Sequence, residues 1–249
     1  MITDIGMKTE SGMITDIGMK TESGMITDIG MKTECGITTD SGIKADSRIK
    51  IKICGLSHHL DIEYANQVRP DYIGFVFAPS RRQVSFRQAA DLRGELHPDI
   101  DVVGVFVDAA EEEIISCCRS GIIDIVQLHG RETEQDICRI QNAAGVPVIK
   151  AVKVESPRDV EAWLSSSADY LLFDSGQGTG QTFEWSHLMG LDRKFFLAGG
   201  LHSGNLKEAC RKVRPYCADV SSGAEAEGRK NLEKMRELVE IIHRLEEKV

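Results

Sequence analysis

From residue 48 onward, short runs rich in β-branched and aromatic residues alternate with longer runs of amphipathic, helix-period character. The strand-like runs fall at 48–54, 71–77, 101–107, 123–128, 146–152, 169–174, 194–198 and 217–221. Helical runs are predicted between them at 58–68, 85–96, 111–120, 132–144, 156–166 and 203–213, with a last one at 229–247. The connection around 183–189 carries the shortest and weakest helical run. Eight βα units of about 25 residues each imply a parallel sheet, and eight is the number that closes a barrel. An open doubly wound sheet is the rival, but the first turn reads CGLSHH and lacks the G-x-G-x-x-G of a dinucleotide fold. The expected fold is therefore an α/β, single-domain (βα)8 barrel over 48–249.

Residues 1–47 follow another rule. MITDIGMKTESG fills 1–12, recurs at 13–24, and recurs at 25–36 with Cys35 for Ser; a decayed copy, ITTDSGIKADSR, ends at Arg48. Its isolated Ile and Met suit neither a helix face nor a long strand, and four short copies are few for a solenoid. This segment reads as a flexible extension born of tandem duplication. An oligomerisation or docking tail, or a start at Met13 or Met25, are the alternatives.

Composition narrows the function classes. Thirty Lys+Arg against 39 Asp+Glu give −9, which disfavours a broad nucleic-acid footprint while leaving room for a local anion site. No apolar stretch approaches the ~18–20 residues of a membrane span. Seven cysteines with one adjacent pair, no C-x-x-C and no secretory signal point to a reducing, cytoplasmic setting. The seven histidines show no zinc-ligand spacing, so no metal is expected.

In such barrels chemistry gathers where the strands end. Strand one delivers Cys54, strand two leads into Arg81 and Arg82, and strand four delivers Gln127 and His129. Strand six ends at Asp174, followed by Gly176, Gly178, Thr179 and Gly180. Strand seven ends in Gly199 and Gly200; strand eight carries Asp219, then Ser221, Ser222 and Gly223. Small residues after strands seven and eight offer backbone N–H groups on which a phosphate can dock without any net positive charge. Cys54 and Asp174 face each other across the mouth, a thiol and a carboxyl able to trade protons with a substrate. Nearby cationic charge would favour the thiolate, and an apolar pocket would keep Asp174 protonated as an acid. Arg82 suits a substrate carboxylate through its planar fork. Taken alone, each has a plainer reading: core packing for Cys54, a turn or cap for Asp174, a solvated loop charge for Arg81, a backbone-satisfied loop histidine for His129.

Seven motifs occur in order: KICGL (52–56), GFVFAPSRRQVS (74–85), VGVFV (103–107), VQLHG (126–130), LLFDSGQGTGQTFEW (171–185), LAGGL (197–201) and ADVSSGAE (218–225). Together they resemble the phosphoribosylanthranilate isomerases of tryptophan biosynthesis, over essentially all of 48–249. The resemblance implies an Amadori rearrangement of N-(5-phosphoribosyl)anthranilate without metal or organic cofactor. It implies Asp174 as general acid on the furanose oxygen and Cys54 as general base at C2. Arg82 is implied to hold the anthranilate end, with Gln127, His129 and Asp219 lining the pocket. Gly199, Gly200, Ser221, Ser222 and Gly223 match the phosphate cradle. The implied partner is a small phosphorylated substrate rather than nucleic acid or membrane. Monomer and homodimer both stay open, as does association with other enzymes of the pathway. Glu184 departs from the commoner FDW pattern without removing a catalytic group.

Three other readings compete, of which triose-phosphate isomerisation lacks a clear Glu base and Lys electrophile at the expected strand ends. A histidine-pathway sugar isomerase would use an aspartate at the end of strand one, where Cys54 stands. A phosphate-ligand binder without catalysis would keep the cradle but has no need of both Cys54 and Asp174.

Overall fold

Period-two alternation along the strands decides which side chains reach the barrel axis. The computed structural model describes residues 48–175 and 183–246. The expectations for residues 1–47 and for Gly176, Gly178, Thr179 and Gly180 lie outside those residues. In β1 (Lys50–Cys54), Ile51 and Ile53 are fully buried in the apolar shell shared with the helices, while Lys52 and Cys54 share the opposite, inward face.

The strands β2 (Tyr72–Val76), β3 (Asp101–Phe106), β4 (Ile125–Leu128), β5 (Val148–Lys153), β6 (Tyr170–Asp174), β7 (Phe195–Leu197) and β8 (Cys217–Val220) follow in order. Each pairs in parallel with its predecessor, and β8 closes the ring on β1 by pairing Lys52 with Asp219. The expected barrel is present. Helices α1 (His59–Val68), α2 (Phe86–Glu95), α3 (Glu111–Arg119), α4 (Glu134–Ala144), α5 (Pro157–Glu161), α6 (Leu206–Val213) and α7 (Leu232–Glu246) alternate with the strands. Their starts are written locally: Ser85 caps α2, and Thr133 with Asp136 forms a capping box on α4. Among the described residues no helix is long and apolar enough to cross a membrane.

Three elements differ from the pattern-based expectation. The helix predicted over 156–166 stops at Glu161, because Arg193 donates to the carbonyls of Leu164, Ser166 and Ala168 and holds that stretch as turns. Among the described residues between β6 and β7, a 3-10 turn, Trp185–Leu188, stands in the helix position. After β8, a 3-10 turn at Ser222–Ala224 leads into a small hairpin, β9 (Glu225–Ala226) and β10 (Arg229–Lys230), turned through Glu227 and Gly228, both with positive φ.

Two apolar clusters hold the structure. The larger lies between strands and helices and includes Ile51, Phe75, Phe106, Phe173 and Leu238. Full burial of each such side chain contributes about 1.5–3 kcal/mol before conformational entropy is counted. The smaller fills the barrel itself with Tyr72, Val103, Ile149, Leu172, Phe196 and Cys217. Tyr170 and Tyr216 stack at 4.9 Å beside it, and the Tyr72 and Tyr216 hydroxyls meet at 3.0 Å. These residues sit at the strand starts, so an aromatic plug closes that end and the polar chemistry is left to the other.

Candidate active site

Above the plug, the barrel interior turns polar. Lys52 is fully buried, and its ammonium donates to Asp219 Oδ2 at 2.8 Å and to Gln127 Oε1 at 2.9 Å. Cys54, two residues further along the same face, is its third neighbour. Burial pulls the Lys52 ammonium towards neutrality, but Asp219 and then Cys54 outweigh it and carry its pKa above the ordinary lysine value. Burial pushes the Cys54 thiol up, while the Lys52 charge pulls it back. A buried Lys–Asp pair of this kind positions groups more than it stabilises the fold, since desolvation consumes most of its Coulomb gain.

Gln127 Nε2 meets His129 Nδ1 at 2.9 Å, and His129 Nε2 stands 3.6 Å from Asp174 Oδ2. Burial holds His129 below the usual histidine value, against the pull of Asp174. Asp174 ends β6 with its side chain 21% exposed and with Ser175 Oγ 3.4 Å from Oδ1, so its surroundings are polar rather than apolar. Gly199, with φ of 87°, packs against this loop: a Cβ there would lie 2.7 Å from the Ser175 amide nitrogen and 2.9 Å from Asp174 Oδ1. Only glycine suits that position.

Gly199 and Gly200 follow β7, and Ser221, Ser222 and Gly223 follow β8. The Ser221 hydroxyl donates to the Cys54 carbonyl at 3.1 Å, joining the phosphate-type loop to the end of β1. Lys230, reached through the hairpin, donates to the Ser221 carbonyl at 2.9 Å and to Glu225 at 3.0 Å. Burial lowers Lys230 against the pull of Glu225.

Arg82 projects over Gly55, where a Cβ would fall 2.3 Å from its Cδ. Its Nε and Nη2 reach the two oxygens of Glu225 at 2.6 and 3.1 Å, and Arg81 reaches the same carboxylate at 2.5 Å. Burial would raise Glu225, but the Arg82 hydrogen bond and the Lys230 charge hold it below the usual glutamate value. One edge of the Arg82 fork is thus occupied, and among the described residues the Nη1 edge is left for a further anion.

Of the eleven residues that the resemblance implies for the site, ten line one cavity of about 210 Å³: Cys54, Arg82, Gln127, His129, Asp174, Gly199, Gly200, Asp219, Ser221 and Ser222. Gly223 follows directly inside the Ser222–Ala224 turn. Sequence reasoning missed Lys52, Glu225 and Lys230. The alternation RIKIKIC already sets Lys52 on the face of Cys54, and ADVSSGAE ends on Glu225; Lys230 gives no signal before the hairpin is seen. Asp219 Oδ1 is buried and, among the described residues, has no hydrogen-bond partner, so this cavity holds an open acceptor. A larger cavity of about 400 Å³, bounded by Phe77, Phe86 and Val107, contains none of the proton-transfer groups. Among the described residues, no group of three or more His, Cys, Asp or Glu is placed to hold a metal ion.

Residues 51–241 match the family model of N-(5'phosphoribosyl)anthranilate (PRA) isomerase. The N-(5'-phosphoribosyl)anthranilate isomerase of Endomicrobium trichonymphae is 42% identical over 201 residues, covering 79% of this chain and 99% of its own. A phosphoribosyl anthranilate isomerase solved in complex with reduced 1-(o-carboxyphenylamino)-1-deoxyribulose 5-phosphate is 34% identical, with a TM-score of 0.71 over 78% of this chain and 98% of its own. Monomers generated from the dimeric Thermotoga maritima isomerase are 33% identical, with a TM-score of 0.71 over the same shares. Ordered motifs, a closed barrel and matches over nearly the whole length of these relatives agree: the chain belongs to the N-(5'-phosphoribosyl)anthranilate isomerase family.

Proposed function

We propose that this chain opens and isomerises N-(5'-phosphoribosyl)anthranilate with Asp174 as general acid and Cys54 as general base. Asp174 gives its proton to the furanose oxygen, the C1–O bond breaks, and the anthranilate nitrogen becomes an iminium. The Cys54 thiolate then takes the proton from C2, and the electron pair of that C–H bond neutralises the iminium as an enolamine. Tautomerisation, with a proton gained at C1 and one lost from the C2 hydroxyl, yields the ketose 1-(2-carboxyphenylamino)-1-deoxyribulose 5-phosphate. The carrying observation is that Cys54 and Asp174, from strands β1 and β6, open into one cavity beside the Gly199–Gly200 and Ser221–Ser222 loops.

In this reading the phosphate takes backbone N–H groups of those two loops, including that of Gly223. The anthranilate carboxylate takes the Nη1 edge of Arg82, held in place by Glu225. The open Oδ1 of Asp219 accepts a ribose hydroxyl. Residues 48–249 form the catalytic unit. A reducing cytoplasm suits Cys54, since the six described cysteines are free thiols. The test is turnover of freshly made substrate, followed by its anthranilate fluorescence. Wild type converts it, and Cys54→Ala and Asp174→Asn each lose about two to four orders of magnitude in kcat. A folded wild type without turnover, or a variant with full activity, overturns the assignment.

A further inference from the structure

Between the proposed base and the proposed acid lie three polar side chains in succession, Lys52, Gln127 and His129, and the first of them can only donate. An ammonium carries three N–H donors and no acceptor. The atom of Gln127 that meets Lys52 Nζ at 2.9 Å is therefore the carbonyl oxygen, and the amide nitrogen is turned towards His129. That nitrogen in turn can only donate, so His129 Nδ1, 2.9 Å away, must accept. A neutral imidazole whose Nδ1 accepts carries its proton on Nε2, the atom facing Asp174 Oδ2 at 3.6 Å. The order of donors is fixed from one end.

We infer that Lys52 is a positioning residue for both proton-transfer groups: one buried ammonium sets Cys54 directly and, through Gln127, holds His129 as the Nε2–H tautomer against Asp174. This rests on the reading of Cys54 and Asp174 as the proton-transfer pair. The consequence for the acid is specific. The Nε2–H faces Asp174 Oδ2 at 3.6 Å while the Ser175 hydroxyl lies 3.4 Å from Oδ1, so the acid delivers its proton from a carboxyl with a polar neighbour beside each oxygen. Once that proton has left, the imidazole N–H faces the carboxylate that forms. The opposite tautomer would aim a lone pair at Asp174 and hold the proton back.

Register makes this arrangement a property of the fold rather than of a mobile loop. Lys52 pairs with Asp219 across β1 and β8, and Asp219 Oδ2 takes one ammonium proton at 2.8 Å. Asp219 therefore balances the buried charge while Gln127 carries the orientation onward. The charged and titratable groups acting on the relay are Asp219 from β8, Cys54 from β1, Asp174 from β6, Lys150 from β5 and, towards Cys54, Lys230 from the hairpin.

The test uses the full chain labelled with 15N-histidine and needs no turnover, so it stands or falls apart from the proposed reaction. Long-range 1H–15N correlation at neutral pH reads the imidazole tautomer, with the His129 signal identified by its loss in His129→Asn. Wild type is expected to show a protonated Nε2 and a hydrogen-bonded, unprotonated Nδ1. In Gln127→Leu, which leaves the Lys52–Asp219 pair intact, His129 is expected to become a mixture of tautomers. Lys52→Met alone strands a buried carboxylate, so the charge-neutral double variant Lys52→Met/Asp219→Asn is the second arm. It should show the same mixture, with Cys54 alkylation by iodoacetamide at fixed pH, read on the Cys54 peptide, slowed at least tenfold. A wild-type His129 protonated on Nδ1, or doubly protonated, overturns the inference. So does an unchanged tautomer in Gln127→Leu, or unchanged alkylation in the double variant.

Discussion

Removing the Glu225 carboxylate should cost both stability and substrate affinity. Glu225 accepts from Arg82 at 2.6 and 3.1 Å, from Arg81 at 2.5 Å and from Lys230 at 3.0 Å. The Lys230 and Glu225 side chains are only 1% and 5% exposed, so that inner pair sets the magnitude, whereas the half-exposed Arg81 adds little. Glu225→Ala strands the Lys230 ammonium in the interior, the kind of loss that costs about 3–5 kcal/mol. For a domain of this size that corresponds to a melting temperature lower by roughly 6–20 °C. Because Glu225 is held below its usual value in the fold, it favours the folded state above the ordinary glutamate value of about 4.3. That contribution is lost as pH falls through the lower folded value, so the wild-type advantage should shrink in acid. Calorimetry at pH 7 and below 4 measures it, alongside KM. Arg82, deprived of its anchor, should hold the substrate carboxylate more weakly, and KM should rise more than kcat falls. A loss under about 1 kcal/mol at pH 7 with unchanged KM would refute the reasoning.

Other consequences are local. Gly199→Ala should lower kcat/KM by at least tenfold while leaving the circular dichroism of the barrel intact, since its Cβ would press on the Ser175 amide and Asp174 Oδ1. Alkylation of Cys54 should accelerate with pH through a midpoint above the ordinary thiol value of about 8.5, because burial favours the neutral thiol and Lys52 only partly offsets it. Cys210, pushed up to about 12 by burial alone, should remain unmodified over the same range; a low midpoint at Cys54 would contradict the balance described.

The barrel and most of its mouth could be read in the chain because both rest on local signals. Eight short apolar runs announce the strands, and in a parallel barrel the last residue of each run must face the same end, which brings Cys54, Asp174 and Gly199 together. What could not be read depends on contacts closed by register or by distant loops. Lys52 is a plain lysine until β8 closes on β1 and sets Asp219 beside it. Arg82 looked like a bare anion receptor until the hairpin after β8 placed Glu225 on one edge of its fork. The helix predicted over 156–166 was cut short by Arg193, 27 residues from Ser166 in sequence, which no period in the local pattern could reveal.

The division of labour between Cys54 and Asp174 is tested most directly by substrate carrying deuterium at ribose C2. If Cys54 removes that hydrogen, the residual single-turnover rate of Cys54→Ala must show a full primary isotope effect. Asp174→Asn, stalled at ring opening before the C–H bond is touched, must show none. An isotope effect in Asp174→Asn together with its absence in Cys54→Ala would contradict the account and exchange the two roles.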